Sequence, residues 1–275
     1  MSAEGPTLRR RRLGTELRRL REAAGLTQES VSRGFEWHPA KVSRIENGRV
    51  AVTPRDVRDL LSLYGVRDDA LVALARSNRD RDADRWAPYR DLMRADSFIE
   101  LEAEASAMRT WEPTVVPGLL QTEAYHRALA ALGERPELER EVELRAERQR
   151  RLTDDHPLVL TALVDESVIH RVIGGPRVMA GQLRHLLVMT RVPTVSLRVL
   201  PFGAGEHPML GLPVTVLEFG RSTDLDVVYE DRRYRRQPAE VDRHRAEFGR
   251  LSGRCLDPGE TAALIEKAIS DVAAG

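Results

Sequence analysis

Apolar residues in the first part of the chain recur at the spacing of helices. Leu13, Leu17, Leu20 and Ala24 would share one helical face, and Gly25 is a stop signal. Caps and apolar periods predict four further short helices, over residues 27–33, 39–46, 53–65 and 68–77. The pattern therefore predicts an all-α unit of five short helices.

The second part of the chain combines helical and strand-like patterns. Apolar positions from Phe98 to Trp111 have helical spacing, with Pro113 as the stop, and Thr122 is expected to cap another helix. The remaining helices are predicted over 136–152, 177–190, 238–252 and 258–272, and strands over 158–164, 194–200, 213–219 and 225–230. This order predicts an α+β domain with a small mixed sheet.

A charged stretch without an apolar period, "NRDRDADRW", separates the two patterns. We predict an N-terminal domain over residues 1–78, a linker over 79–94 and the α+β domain over 95–275. The basic run "LRRRRLG" at residues 8–14 is interpreted either as a solvated tail or as a flexible arm that touches phosphates or enters the minor groove.

Charge is distributed unevenly, although the whole chain has a formal net charge of zero. Residues 1–50 contain ten Arg and one Lys against six Glu, a net of +5, and residues 51–80 are neutral, so the remainder carries −5. A basic head on an acidic body is expected when only the head meets a polyanion.

The composition also bounds the class of protein. One cysteine, Cys255, excludes an internal disulfide and a cysteine-based zinc cluster. The chain has no apolar run of membrane-spanning length and no signal-peptide core, so a cytoplasmic location is expected. No motif predicts a cofactor.

The segment "TQESVSRGFEWHPAKVSRIENG" has the form of two short helices joined by a tight turn, the helix-turn-helix arrangement. The second helix would enter the major groove of DNA, and Val31, Val42 and Ile45 would pin it over the first helix. Glu46 and Asn47 are assigned structural roles at its end.

Arg44 is the strongest candidate for reading a base, because a guanidinium can pair twice with a guanine edge. Pro39 and Ala40 can offer apolar contacts such as one to a thymine methyl group, and Ser43 shares their face. The predicted phosphate contacts are Gln28, Lys41 and Arg49.

These residues resemble a known family. "GLTQESVSRGFEWHPAKVSRIENGR" is similar to the helix-turn-helix domain of Cro/C1-type (XRE) bacterial regulators, over roughly residues 13–75. Two positions depart from that pattern: Ser32 replaces the usual Ala, and Glu36 replaces the usual turn Gly. A positive φ at Glu36 would destabilise the fold by about 1 kcal/mol, unless Gly34 shifts the turn.

The resemblance continues into the second domain, to the C-terminal domain of unknown function in WhiJ-like regulators of high-GC Gram-positive bacteria. It is carried over about residues 90–272 by the stretches "EPTVVPGLLQTEAYHRAL", "DESVIHRVIGGPRVMAGQLRHLL", "LPFGAGEHPMLG" and "VVYED". It implies an antitoxin-like transcriptional regulator whose gene neighbour encodes a small companion protein.

Other chemical groups in the second domain have ordinary structural interpretations. The acids near the strands could form a metal or nuclease cluster, but solvated or capping roles are favoured: Asp165, Glu166, Glu218, Glu230 and Asp231. The histidines lack ligand spacing: His156, His170, His185 and His207. Residues 202–211 are interpreted as a connecting loop, with a ligand lid as the alternative. Cys255 is expected in the core.

Three functions remain open at this point. The first is a transcriptional regulator, a repressor that binds a palindromic operator as a homodimer and is modulated through its second domain by a companion protein or a ligand. The second is an antitoxin-like interaction protein that mainly restrains the companion, with DNA binding only autoregulatory. The third and least favoured is a metal-dependent hydrolase.

Overall fold

The computed structural model describes residues 8–69, 71, 72, 75, 86–89, 91, 92, 98–220, 226–230, 233–235 and 237–274. The chain divides into two compact units, Met1–Glu104 and Ala105–Gly275. In the described residues, a helical unit thus precedes a mixed one, as the sequence pattern predicts. Among the described residues, no helix is both long and apolar enough to cross a membrane.

The first unit begins with four helices whose ends are set by local signals. They are α1 (Leu8–Ala23), α2 (Gln28–Gly34), α3 (Ala40–Glu46) and α4 (Pro54–Leu63). Thr27 and Thr53 each accept a hydrogen bond from the backbone N–H three residues on, which caps α2 and α4. Part of the predicted fifth helix, over 68–77, lies outside the described residues.

Helix α1 starts earlier than the sequence pattern predicts. The backbone of residues 8–12 is helical and continues into the predicted segment, where the sequence suggested a tail or a flexible arm. Arginine is a good helix former, and the apolar period alone gave no sign of the extra turns. Residues 1–7 lie outside the described part of the chain.

The core of this unit uses the apolar positions that the helical spacing singled out. Leu13, Leu17, Val31 and Ile45 are each at most 3% exposed and belong to one cluster. Gly14 permits the close approach of α1 and α3, because a Cβ there would collide with backbone carbonyl oxygens of α3.

The second unit is built on one six-stranded sheet, larger than the small sheet predicted. Its strands are β1 (Ala107–Glu112), β2 (Val159–Asp165), β3 (Val195–Leu200), β4 (Val214–Glu218), β5 (Val227–Glu230) and β6 (Arg233–Arg235). Their order is β3-β2-β1-β4-β5-β6, with β1, β2 and β3 parallel and the remaining pairs antiparallel. The sheet is therefore mixed.

The prediction of one helix from Phe98 to Trp111 is wrong. A helix, α5 (Phe98–Glu104), ends early, and the following residues form the central strand β1. Met108, Thr110 and Trp111 are buried and Arg109 is exposed, so the alternation typical of strands breaks where Thr110 and Trp111, on opposite faces, are both buried. Met108 and Trp111 are three positions apart, which is also the spacing of residues on one face of a helix. Strand β6, only three residues long, was also not predicted.

Helices cover the sheet at positions that largely follow the prediction. They are α6 (Glu123–Ala130), α7 (Leu138–Arg150), α8 (Glu166–His170), α9 (Pro176–Met189), α10 (Pro238–Ser252) and α11 (Pro258–Ala274). The predicted cap of α6 is confirmed, since the Thr122 hydroxyl accepts from the Tyr125 N–H at 3.3 Å. The short α8 was not predicted. Trp111, Val216 and Phe248 belong to the core beneath α10.

Candidate nucleic-acid interface

Helices α2 and α3 are joined by a five-residue turn, Phe35–Pro39, that reverses the chain. The turn is closed by the Trp37 N–H, which donates to the Ser32 carbonyl at 2.8 Å. Ser32 itself is buried, and its hydroxyl lies 3.4 Å from the carbonyl of Pro39. The small side chain at this position therefore fits between the helices, as expected of the usual Ala.

Glu36 carries the unusual backbone conformation of the turn. Its φ is 54°, and it is the one non-glycine residue with a positive φ in the described part of the chain. Gly34 instead ends α2 without a positive φ, so the turn is not shifted. The conditional expectation for Glu36 is thus confirmed, and a side chain there destabilises the turn by about 1 kcal/mol.

The inward face of α3 is fixed by apolar packing. Val42 and Ile45 are 2% and 3% exposed, and both belong to the cluster that contains Val31 and Leu17. This packing was predicted from the spacing alone. It orients the opposite face of α3 toward solvent.

A buried ion pair also holds α3 in place. The Arg21 guanidinium donates to both carboxylate oxygens of Glu46, at 2.6 and 3.0 Å, and the two side chains are 7% and 2% exposed. A third bond runs from the Arg21 Nη1 to the Leu26 carbonyl at 2.7 Å. The hydrogen bonds to Glu46 raise the pKa of Arg21, and burial raises the pKa of nearby Tyr64 to about 12.

Gln28 joins this network from the start of α2. Its Nε2 donates to a Glu46 oxygen at 2.7 Å, so the side chain is turned toward the ion pair. A phosphate contact by Gln28 would use its second amide hydrogen or its backbone N–H. The structural role expected of Glu46 is seen here, whereas Arg21 was not singled out from the sequence.

The outward face of α3 presents the other predicted contacts. Pro39, Ala40, Arg44 and Arg49 are exposed, while Lys41 and Ser43 are half-buried. Among the residues that the structure describes, neither the lysine nor the two arginines of this group forms an ion pair with a carboxylate. Three uncompensated cations therefore surround one short helix.

Local contacts arrange two of these side chains. The Arg44 Nε lies 3.3 Å from the Ala40 carbonyl, one turn back along α3. The Lys41 ammonium lies 3.5 Å from the ring centroid of Trp37, a cation–π contact. Asn47 donates to the Ser43 carbonyl at 2.8 Å and so orders the end of the helix.

The described acids near the strands have separate structural partners. Asp165 caps α8 through the Ser167 N–H, and Glu166 accepts from the Phe202 N–H at 2.7 Å. Glu218 pairs with two arginines and Glu230 with one, while Asp231 lies outside the described residues. Within the described residues, no group of three potential ligands could hold a metal ion.

The loop over residues 202–211 is anchored from two sides. The Arg254 guanidinium donates to the carbonyls of Ala204 and Glu206, and the Trp111 Nε1 donates to the Met209 carbonyl at 2.8 Å. His207 in this loop is buried against the edge of Trp111. These anchors favour the connecting-loop interpretation over a mobile lid.

The other three histidines considered from the sequence, and the cysteine, lie in different parts of the second unit. His170 lies 3.3 Å from Glu166, the His156 carbonyl accepts from Arg151, and burial lowers the pKa of His185. Cys255 is buried, and its burial raises the pKa of the thiol to about 11, as suits a core residue.

Comparisons with known proteins also match the chain in two parts. The profile of a helix-turn-helix domain matches residues 12–75, and that of a domain of unknown function, DUF5753, matches residues 95–267. The chain belongs to the DUF5753 family. The first domain of this DUF5753 protein is a helix-turn-helix domain. The protein is therefore a DNA-binding regulator.

The two other comparisons add no relative of this DUF5753 protein. No curated protein matches the chain, and no solved structure matches it. The WhiJ-like and antitoxin-like resemblance stays a prediction.

Proposed function

We propose that this protein is a repressor that binds a palindromic operator as a homodimer. The observation that carries the proposal is the contrast between the two faces of α3. One face is fixed by the core and by the Arg21–Glu46 pair, whereas the other carries Lys41 and Arg44 without carboxylate partners among the described residues. A rigid, cationic helix of this kind suits the major groove.

The predicted contact residues have chemically distinct roles in the proposal. Arg44 pairs with a guanine edge, and Pro39 and Ala40 contact an apolar group such as a thymine methyl. Ser43 lies beside them and can bond a base edge. Lys41, Arg49 and Gln28 contact phosphates, which position the helix without carrying sequence information.

Dimerisation follows from the size of the contact. One unit of this kind touches too few base pairs to select an operator among the competing sites of a genome. Two units related by a twofold axis would place their recognition helices about 34–36 Å apart on one face of DNA. The second domain would supply the dimer contact and respond to a small companion protein or a ligand.

The effect of such a partner is constrained by linkage. If it changes operator affinity by some factor, DNA changes the affinity for the partner by the same factor. A titration of partner binding with and without DNA therefore measures the regulation independently of transcription.

The proposal is tested by selecting bound sequences from random duplex DNA with the full-length protein alone. Enrichment of a palindrome with half-sites about one helical turn apart is expected. Absence of any enriched sequence would contradict the repressor proposal for the protein alone, and would favour the interaction-protein alternative.

The phosphate role of Lys41 has its own signature. Lys41→Ala should weaken binding to all sequences alike and flatten the log–log dependence of affinity on salt by about 0.9. Arg33→Ala is the matched control, because that exposed arginine on α2 is already paired with Glu29 at 2.9 Å. An unchanged slope for Lys41→Ala would remove this contact from the proposal.

A further inference from the structure

Trp37, in the turn before α3, is held by contacts with two neighbouring side chains. Its ring stacks on Phe35 with centroids 4.9 Å apart and an interplanar angle of 27°. The Lys41 ammonium lies 3.5 Å from the same ring centroid. Since a stacked ring and an ammonium at that height cannot share one face, both faces of the indole are covered. Only the ring edge is left for another contact.

That edge carries a hydrogen-bond donor without an internal partner. The indole N–H can only donate, and Trp37 donates it to none of the residues that the structure describes. Trp111 in the sheet shows the usual alternative, because its Nε1 donates to the Met209 carbonyl at 2.8 Å. The Trp37 donor therefore lies next to an ammonium that itself has no carboxylate partner in the described part of the chain.

The backbone fixes this pair relative to α3. The Trp37 N–H is bonded to Ser32 at 2.8 Å, and the preceding residue, Glu36, has the positive φ that turns the chain. Lys41 lies in the first turn of α3, one helical turn after Trp37. The turn and the helix thus present a neutral donor and a cation from one rigid element.

We propose that Trp37 and Lys41 together bind one phosphate of the DNA backbone, with the indole N–H and the ammonium as the two donors. This inference rests on the proposed DNA-binding function. The cation–π contact restricts the lysine before DNA arrives, so less side-chain entropy is lost on binding. Because both ring faces are covered, Trp37 does not stack on a base, and its contact carries no sequence information.

The test removes the donor while keeping the shape of the ring. Trp37 is replaced by its benzothienyl isostere, which has sulfur in place of the N–H, and in parallel by Phe. Affinity for labelled random-sequence duplex DNA is measured by fluorescence anisotropy across a salt series. Trp86→Phe, outside the matched helix-turn-helix segment, is the control for loss of a tryptophan.

The isostere is expected to bind about tenfold more weakly, since one hydrogen bond to a charged group is lost. The loss should be equal for all sequences, and the salt slope should not change, because the missing donor is neutral. An isostere that binds within about twofold of the wild type overturns the inference, even if Trp37→Phe is weaker. Failure of the wild type itself to bind any duplex overturns the proposed function as well.

Discussion

The outward face of α3 and the sheet unit use their cations in opposite ways. In the sheet unit, Arg245 bridges Asp226 and Glu218, and Arg109 pairs with Glu218, so the arginines cross-link strands and helices. On α3, by contrast, the cations of the outward face have no carboxylate partner among the described residues. Arginines thus join elements of the sheet unit, whereas the cations on the outward face of α3 remain available for a polyanion.

Two carboxyl groups shielded from water, the buried Glu46 and the partly buried Glu112, differ in their partners. Glu46 is held by Arg21 and Gln28, whereas Glu112 at the end of β1 has no hydrogen-bond partner among the described residues. Burial alone raises the pKa of Glu112 to about 7. Glu46 thus has a cation as its partner, whereas Glu112 has no such partner among the described residues and has a raised pKa instead.

Breaking the buried pair should give the largest effect. Arg21→Met strands the Glu46 carboxylate in the interior and should lower the free energy of unfolding by about 3–5 kcal/mol, measured by denaturant titration. Arg18→Met is the matched control on the same helix. It removes an exposed pair with Glu22, in which the two side chains are 58% and 52% exposed, and should leave stability nearly unchanged because water screens the pair. Equal losses of stability in the two variants would contradict the difference between the buried and the exposed ion pair.

The raised pKa of Glu112 predicts that the stability of the protein depends on pH. The pKa of Glu112 is about 7 in the folded protein, whereas its ordinary value is 4.5. Between these pH values the folded state binds more protons than the unfolded state, so the free energy of unfolding falls as the pH rises. Glu112→Gln should abolish this slope and, above pH 7, stabilise the protein by about 2 kcal/mol after allowance for partial exposure. Unfolding titrations across this range measure it. If the free energy of unfolding of Glu112→Gln still falls with rising pH, another group causes the pH dependence.

Glu36 offers a smaller effect within the turn. Glu36→Gly relieves the positive φ and should raise the free energy of unfolding by up to about 1 kcal/mol, the gain being reduced by the greater freedom of glycine in the unfolded chain. Glu36→Ala removes the carboxylate but keeps the Cβ, and should give no such gain. If both variants gain equally, charge rather than backbone strain explains the result.

Short-range periodicity accounts for what the sequence predicted well. The positions of Leu17, Val31 and Ile45 follow from helical spacing within segments of a few turns, so the packing of α3 and its outward face could be inferred. The cation–π contact of Lys41 and the pair between Arg21 and Glu46 could not. They depend on side-chain geometry, and the ion pair joins residues 25 positions apart.

The central strand was missed for a related reason. A strand covered on both faces buries consecutive residues, such as Thr110 and Trp111, so its pattern lacks the alternation by which strands are predicted. Its partners, β2 and β4, lie far along the chain, and only their pairing with β1 reveals its extended form. The adjacent helix α5 then made a continuous helix the simpler interpretation.

The central claim, that the outward face of α3 reads DNA sequence, is tested most directly through Arg44. Base preference at every position of the selected site should be measured for the wild type and for Arg44→Ala side by side. The account predicts a loss of about 1–3 kcal/mol of discrimination at one base pair of each half-site, with the other positions unchanged. An Arg44→Ala variant that keeps the full preference at every position would contradict it.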